Sequence, residues 1–244
     1  MHPSLTDAYK DFLKRQYSGL WYQRYIEGQW VQAEGAVFDM FSNDLHVLDF
    51  APTCNPDYYL AGIDYGTTNP CAFLLLAYSA SNYPNMWVEK EYYWNSKERQ
   101  KQKTDTEYAE DFIKFVDNLS APLKTVYLDP SAVSFRLELQ RHGVRGVQEA
   151  DNDVLPGIRF VAGLLSNGTL KITAACKNLI HEFKSYLWDD KARERAIDKP
   201  LKQADHAIDS LRYVCHSHYG ANVNSDSRMT KEDLKSLRNK WGYR

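Results

Sequence analysis

The chain has 244 residues, 43% of them apolar, with a formal charge of −2 and a pI near 6.4. It is long enough for one large domain, or one domain with a smaller appendage. Its 17 tyrosines and 6 tryptophans supply a substantial core and argue against wholesale disorder, and the near-neutral charge does not advertise nucleic-acid binding while leaving room for a basic face. Cys54, Cys71, Cys176 and Cys215 are scattered and form no Cys-x-x-Cys pair, which argues against a zinc site or a disulfide framework and fits reduced thiols. No apolar core of a signal peptide follows Met1 and no apolar run reaches membrane-spanning length, so a soluble intracellular protein without membrane contact is expected.

Residues 1–56 read as a lead-in. Leu5, Tyr9, Phe12, Leu13, Tyr17, Leu20, Tyr25 and Ile26 fall near helical spacing, with a break expected at Ser18-Gly19. Short extended pieces follow on either side of Gly35, and Phe50 to Pro56 reads as a linker. The aromatic richness of this region suits docking against something outside the chain.

From Tyr58 the pattern changes to strands. Two apolar runs, 58–64 and 71–78, flank the cluster Gly66-Thr67-Thr68-Asn69-Pro70 and predict a β-hairpin, with a third antiparallel strand at 86–94. Thr104-x-x-Glu107 is a capping box that opens a helix. A buried strand at 125–128 follows it, so a parallel crossover beside the first strand is expected. Helices at 132–142, 153–166 and 176–186 then alternate with short strands at 144–147 and 169–172. The polar stretch 184–202 reads as a loop or exposed hairpin, a helix is expected over 202–215, and 220–244 reads as a tail in which Thr230-x-x-Asp233 can cap a short helix.

The chemistry lies in carboxylates at the ends of these elements. Asp64 closes the first strand among apolar neighbours, where a lone carboxylate is costly. Asp129 closes the strand expected beside it. Taken singly, Asp64 reads equally well as a turn cap, Asp129 before Pro130 as a turn former, Asp205 as a first-turn helix acid and His206 as a partly buried polar residue. Together they converge. Adjacent strands lie about 4.8 Å apart, so two strand-end carboxylates repel unless a cation sits between them. The late helix adds Asp205, His206 and Asp209 at i,i+3 and i,i+4 spacings. Such an oxygen-rich set suits Mg²⁺ or Mn²⁺ and the two-metal hydrolysis of phosphodiesters.

At this point the sequence resembles a known family. Gly62-Ile63-Asp64-Tyr65-Gly66, Val126-Tyr127-Leu128-Asp129-Pro130-Ser131 and Asp205-His206-Ala207-Ile208-Asp209-Ser210-Leu211-Arg212-Tyr213 look like the nuclease domain of tailed-phage large terminase subunits. Tyr25 to Phe38 is similar to that family's ATPase–nuclease junction. The resemblance implies an α/β, RNase H-like mixed five-stranded sheet: three antiparallel strands, then parallel ones, flanked by helices over residues 57–219. It implies a metal-dependent endonuclease that cuts concatemeric double-stranded DNA during genome packaging. Asp64, Asp129, Asp209 and His206 would be the catalytic, metal-binding residues, with Asp205 a further metal-site residue and a second ion bound only with DNA. Partners would be a terminase ATPase domain, a small terminase subunit and a portal protein, in the cytoplasm of an infected bacterium. No G-x-x-x-x-G-K-[S/T] occurs, so the ATPase half is expected to be absent.

A Holliday-junction resolvase or transposase is the alternative nearest in chemistry. Asp64 to Asn69 also resembles the first phosphate loop of actin-like ATPases, but no second copy follows. For DNA contact the candidates are Lys184, Arg193, Arg195, Lys199 and Lys202 with their neighbour Lys191, and a second group of Arg136, Arg141 and Arg145. Each is equally readable as a solvated surface charge.

Overall fold

The computed structural model describes residues 19–29 and 31–220, with Tyr25 described by its backbone alone. The helix expected before Ser18, Trp30, and the tail with its Thr230 capping box lie outside the described residues. In chain order the elements are α1 (Gly19–Tyr25), α2 (Asn43–His46), β1 (Val47–Leu48), β2 (Tyr58–Asp64), β3 (Cys71–Tyr78), β4 (Met86–Trp94), α3 (Asp105–Phe115) and β5 (Leu123–Leu128). They continue with α4 (Val133–Arg141), β6 (Val147–Glu149), α5 (Val154–Ser166), β7 (Leu170–Thr173), α6 (Lys177–Ser185), α7 (Asp190–Arg193) and α8 (His206–Cys215), closed by a π-helical turn at His216–Gly220.

The strands form one mixed sheet in the order β1-β7-β4-β3-β2-β5-β6. The predicted hairpin is present, with Asp64 opposite Ala72, and β4 pairs antiparallel to β3. β5 returns through α3 to lie parallel beside β2, as the strand–helix–strand order required. Thr104 and Glu107 make both bonds of the predicted capping box. The sheet has seven strands rather than five. The free edge of β4 takes up β7 in parallel and β7 takes up β1, so the lead-in contributes a strand to the sheet.

Alternation along β2 assigns its residues to two faces. Ala61 and Ile63 pack with Phe73, Phe112, Val126 and Phe135 under α3 and α4. Leu60, Leu74 and Val88 pack with Ile158, Leu211 and Val214 under α5 and α8. Asp64 continues the second face.

Three local expectations are corrected. The strand expected at 144–147 lies at Val147–Glu149, because Gly143 and Gly146 have φ of +83° and +71° and keep the chain turning. The extended pieces around Gly35 reduce to one bridge, Ala36 to Leu187. Of the described lead-in aromatics, Trp21 and Phe38 pack inward rather than against an outside partner: Trp21 meets Trp188 edge-on at 6.3 Å, and Phe38 meets Phe183 at 5.0 Å, while Phe50 is exposed. Residues 184–202 enclose α7 in a loop closed by the bridge between Trp188 and Pro200.

Candidate active site

Register brings the two strand-end carboxylates together. Gly62 pairs with Tyr127 and Ile63 with Leu128, so the next residues, Asp64 and Asp129, leave adjacent parallel strands side by side. Both lie on the α8 face. Ligand sites in open α/β sheets form at such carboxyl ends of strands.

Helix α8 is set down on β2 without an intervening side chain. A Cβ on Gly62 would fall 2.0 Å from the Ser210 carbonyl oxygen, so only glycine allows this approach. The Ser210 hydroxyl accepts the Asp64 N–H at 3.0 Å and lies 3.0 Å from the carbonyl oxygens of Ala72 and His206, donating to one of them. One side chain thus ties the last residue of β2 to β3 and to the first turn of α8. His206 then reaches Asp64, its Nδ1 donating to Oδ2 at 2.8 Å. The helix begins at His206 rather than near Lys202, because Ala204 adopts φ +50° and breaks the helical run. Asp205 is therefore a buried N-cap residue that makes no side-chain capping bond, and not an in-helix partner of Asp209. Its carbonyl accepts the Asp209 N–H at 2.7 Å.

The charges at this end of the sheet are coupled. Burial raises the pKa of Asp64; Asp205 and Asp129 push it further, and His206 opposes them. Burial lifts Asp209 to about 6, with Arg212 pulling it down and Asp64 and Asp205 pushing it up. Burial works against the His206 cation, yet the hydrogen bond and charge of Asp64 raise its pKa overall. Asp129 behaves oppositely: burial is outweighed by hydrogen bonds from Ser131, Tyr213 and Asn152, which hold it below the usual range.

Each of the three acids has its own donor. Arg212 donates to Asp209 Oδ1 through Nε and Nη2, at 3.1 and 3.0 Å, leaving Oδ2 outside the pair. Tyr213 donates to Asp129 Oδ2 at 2.9 Å, and the Ser131 N–H to Oδ1 at 2.7 Å. Among the described residues no three His, Cys, Asp or Glu side chains are gathered tightly enough to be a ready-made ion cage. The donor chemistry nonetheless suits a hard divalent cation. It offers carboxylate oxygens and one imidazole, and two of the carboxyls are raised by burial and mutual repulsion that a cation would relieve.

Sequence reasoning passed over several residues that build the site. Ser210, Arg212 and Tyr213 lay inside a recognised motif but were given no role of their own. Gly157 accommodates the Arg212 stem, which a Cβ there would meet at 2.3 Å. Glu182 gave no signal. It is 2% exposed, accepts the Ile208 N–H at 2.9 Å and the Tyr93 hydroxyl at 3.1 Å, and so caps α8 from α6. Burial raises its pKa to about 7, against the pull of the Ile208 N–H and Tyr93.

The basic candidates divide. Arg193 is drawn to Glu34 at 2.8 Å and to Asp190 at 3.3 Å. Lys184, Arg195, Lys199 and Lys202 are exposed. None of these five lines the cleft that opens beside His206. In the second group Arg136 pairs with Glu149, and Arg141 lies 3.4 Å from Glu138.

No protein-family profile matches the chain. A curated relative, the terminase large subunit of Escherichia phage T5, is 27% identical over 84% of this chain and 47% of its own length. The large terminase of a thermophilic bacteriophage, solved in complex with ADP, aligns with TM-score 0.82 and 41% identity over 88% of this chain and 52% of that one. The chain spans about half the length of these relatives. Two isolated domains share the fold at low identity: the P22 large terminase nuclease domain (TM-score 0.59, 15% identity, 83% of this chain and 99% of that one) and the SPP1 nuclease domain with bound Mn (TM-score 0.50, 18% identity, 79% and 99%). The chain is a relative of phage terminase large subunits and carries the RNase H-like fold of their nuclease domain.

Proposed function

We propose that the chain is a divalent-metal-dependent endonuclease that cuts double-stranded phage DNA during genome packaging. The observation that carries this reading is the convergence of Asp64, Asp129 and Asp209, from β2, the end of β5 and α8, on one end of the sheet with His206 bonded to Asp64. The manganese bound by the SPP1 nuclease domain, which shares this fold, supports the use of a divalent cation.

Asp64, Asp129 and Asp209 would hold Mg²⁺ or Mn²⁺, with His206 at its edge and Asp205 adding charge behind it. Bound there, one or two ions would supply a nucleophilic water and stabilise the leaving 3′ oxygen. The protein's own part is positional. Ser210 fixes the height of Asp64, Tyr213 and Ser131 fix the rotamer of Asp129, and Arg212 holds one oxygen of Asp209 while leaving the other free. His206, anchored through Nδ1, keeps its second ring nitrogen for a water or phosphate oxygen. Lys184, Arg195, Lys199 and Lys202 would add phosphate contacts away from the cut, with Arg193 shared with its acidic neighbours.

By relation to the longer terminases, partners would be an ATPase domain, a small subunit and a portal protein, in the cytoplasm of the infected host. No helix among the described residues is long and apolar enough to cross a membrane.

The test is nicking and linearisation of supercoiled plasmid in Mn²⁺ or Mg²⁺ by the wild type, Asp64→Asn, Asp129→Asn and Asp209→Asn. Wild-type cutting that EDTA abolishes and each variant loses is the expected result. An inert wild type in both metals, or cutting unchanged in the variants, removes the reading.

A further inference from the structure

A polar cleft of about 360 Å³ opens beside His206, between the turn after β3's partner strand β4 and the start of α6. This is within the range of small-molecule sites. Its lining includes Asn69, Asn95, Lys97, Asn178 and His181, together with the carboxylates of Glu98 and Glu182. The Glu182 carboxylate is taken by the Ile208 N–H and the Tyr93 hydroxyl.

The turn bearing Lys97 is built. The Asn95 side-chain oxygen accepts the N–H groups of Lys97 and Glu98 at 3.2 and 3.4 Å, leaving its NH₂ outside these bonds. The Arg99 guanidinium lies 4.6 Å from the Trp94 ring, and the Lys101 N–H bonds the Ser96 carbonyl at 3.1 Å. Lys97 makes no ion pair among the described residues; its Nζ reaches the Asn69 side-chain oxygen at 3.5 Å. Nearby cations are committed instead: Lys101 to Glu107 and Lys103 to Asp111.

The opposite rim has the other sign. Beyond Asp129 the chain presents exposed Asp151 and Asp153, and Glu149 occupies Arg136. A polyanion reaching the carboxylates meets several exposed acids on that side; on the other it meets amides, imidazoles and the Lys97 ammonium, with Glu98 and the buried Glu182 beside them.

We propose that this cleft is the subsite for the phosphodiester strand next to the scissile bond, with Lys97 the cation that neutralises one of its phosphates and His181 and the Asn95 amide lining its path. The ligand class rests on the nuclease reading; the cleft, its charge and its place beside His206 do not. One phosphate contact of this kind raises the slope of log affinity against log salt by about one.

The test is equilibrium binding of a short fluorescent DNA duplex, by anisotropy without divalent metal, over a series of salt concentrations. Wild type is compared with Lys97→Ala, Lys97→Glu, Lys97→Arg and His181→Ala. We expect Lys97→Ala to weaken binding severalfold and reduce the salt slope by about one, Lys97→Glu to weaken it more, and Lys97→Arg to restore it. Wild-type affinity and slope in both Lys97→Ala and Lys97→Glu, or no duplex binding by the wild type at low salt, overturns the assignment. Plasmid cutting by the same proteins judges the nuclease reading separately: Lys97-dependent binding by a chain that cannot cut would retain the subsite and remove the nuclease.

Discussion

Gly62 and Ser210 meet backbone to backbone, 2.0 Å from where a Cβ on Gly62 would stand to the Ser210 carbonyl oxygen. Val214 closes the same gap, its methyl 3.3 Å from that position. This contact sets how far α8 sits above β2, and therefore how far His206 and Asp209 sit from Asp64. Gly62→Ala meets main chain, which cannot rotate aside. It is expected to destabilise the fold by about 1–3 kcal/mol and to lower metal-dependent cleavage by about a hundredfold through misplacement of α8. Thermal unfolding and plasmid cleavage measure the two effects; unchanged cleavage would show that the helix height is immaterial.

Arg212 is the counter-charge of Asp209, its side chain 3% exposed. Removing one member of a buried pair costs about 3–5 kcal/mol. Arg212→Met is therefore expected to be markedly less stable. Burial raises the Asp209 pKa to about 6 and Arg212 opposes that rise, so loss of Arg212 moves the pKa further upward. Cleavage by the variant should require higher pH than the wild type. A pH–rate profile whose acid limb stays in place would separate Arg212 from Asp209.

Tyr213 fixes the outer oxygen of Asp129 at 2.9 Å. Tyr213→Phe keeps the ring and removes this bond. Loss of a group that orients a metal ligand weakens metal affinity about 10–100-fold. The half-saturating Mn²⁺ concentration for cleavage should rise accordingly, with cleavage at saturating Mn²⁺ little changed.

Glu182 links stability to pH. Its carboxyl is raised from 4.5 to about 7 in the folded chain, so between these values the folded state holds a proton that the unfolded chain releases. The resulting stabilisation is fully present below the unfolded value and lost as pH rises through about 7. Glu182→Gln removes the titration and should flatten the pH dependence of Tm over that interval. Glu182→Ala leaves the Ile208 N–H buried without its acceptor, at a cost of about 1–3 kcal/mol. A wild-type profile as flat as that of Glu182→Gln would remove the linkage.

Much of this protein was legible in its residues. The apolar runs at 58–64 and 71–78 and the Gly66–Pro70 cluster dictate a hairpin, because alternation and turn chemistry are local properties. Thr104 and Glu107 cap α3 through contacts three residues apart. Asp64 and Asp129 were readable as strand-end neighbours, since a helix between two strands forces a parallel return. Other features depended on distant chain segments. Ala204 at positive φ withdrew Asp205 from the helix, and the edge of β4 recruited two further strands. Glu182 reached across to cap α8, and Lys97 came to line the same cleft as His206 from about a hundred positions away. The local sequence determined which elements form and which side chains carry charge. Only tertiary packing decided which charges meet, because burial and pairing are set by neighbours that the linear order does not reveal.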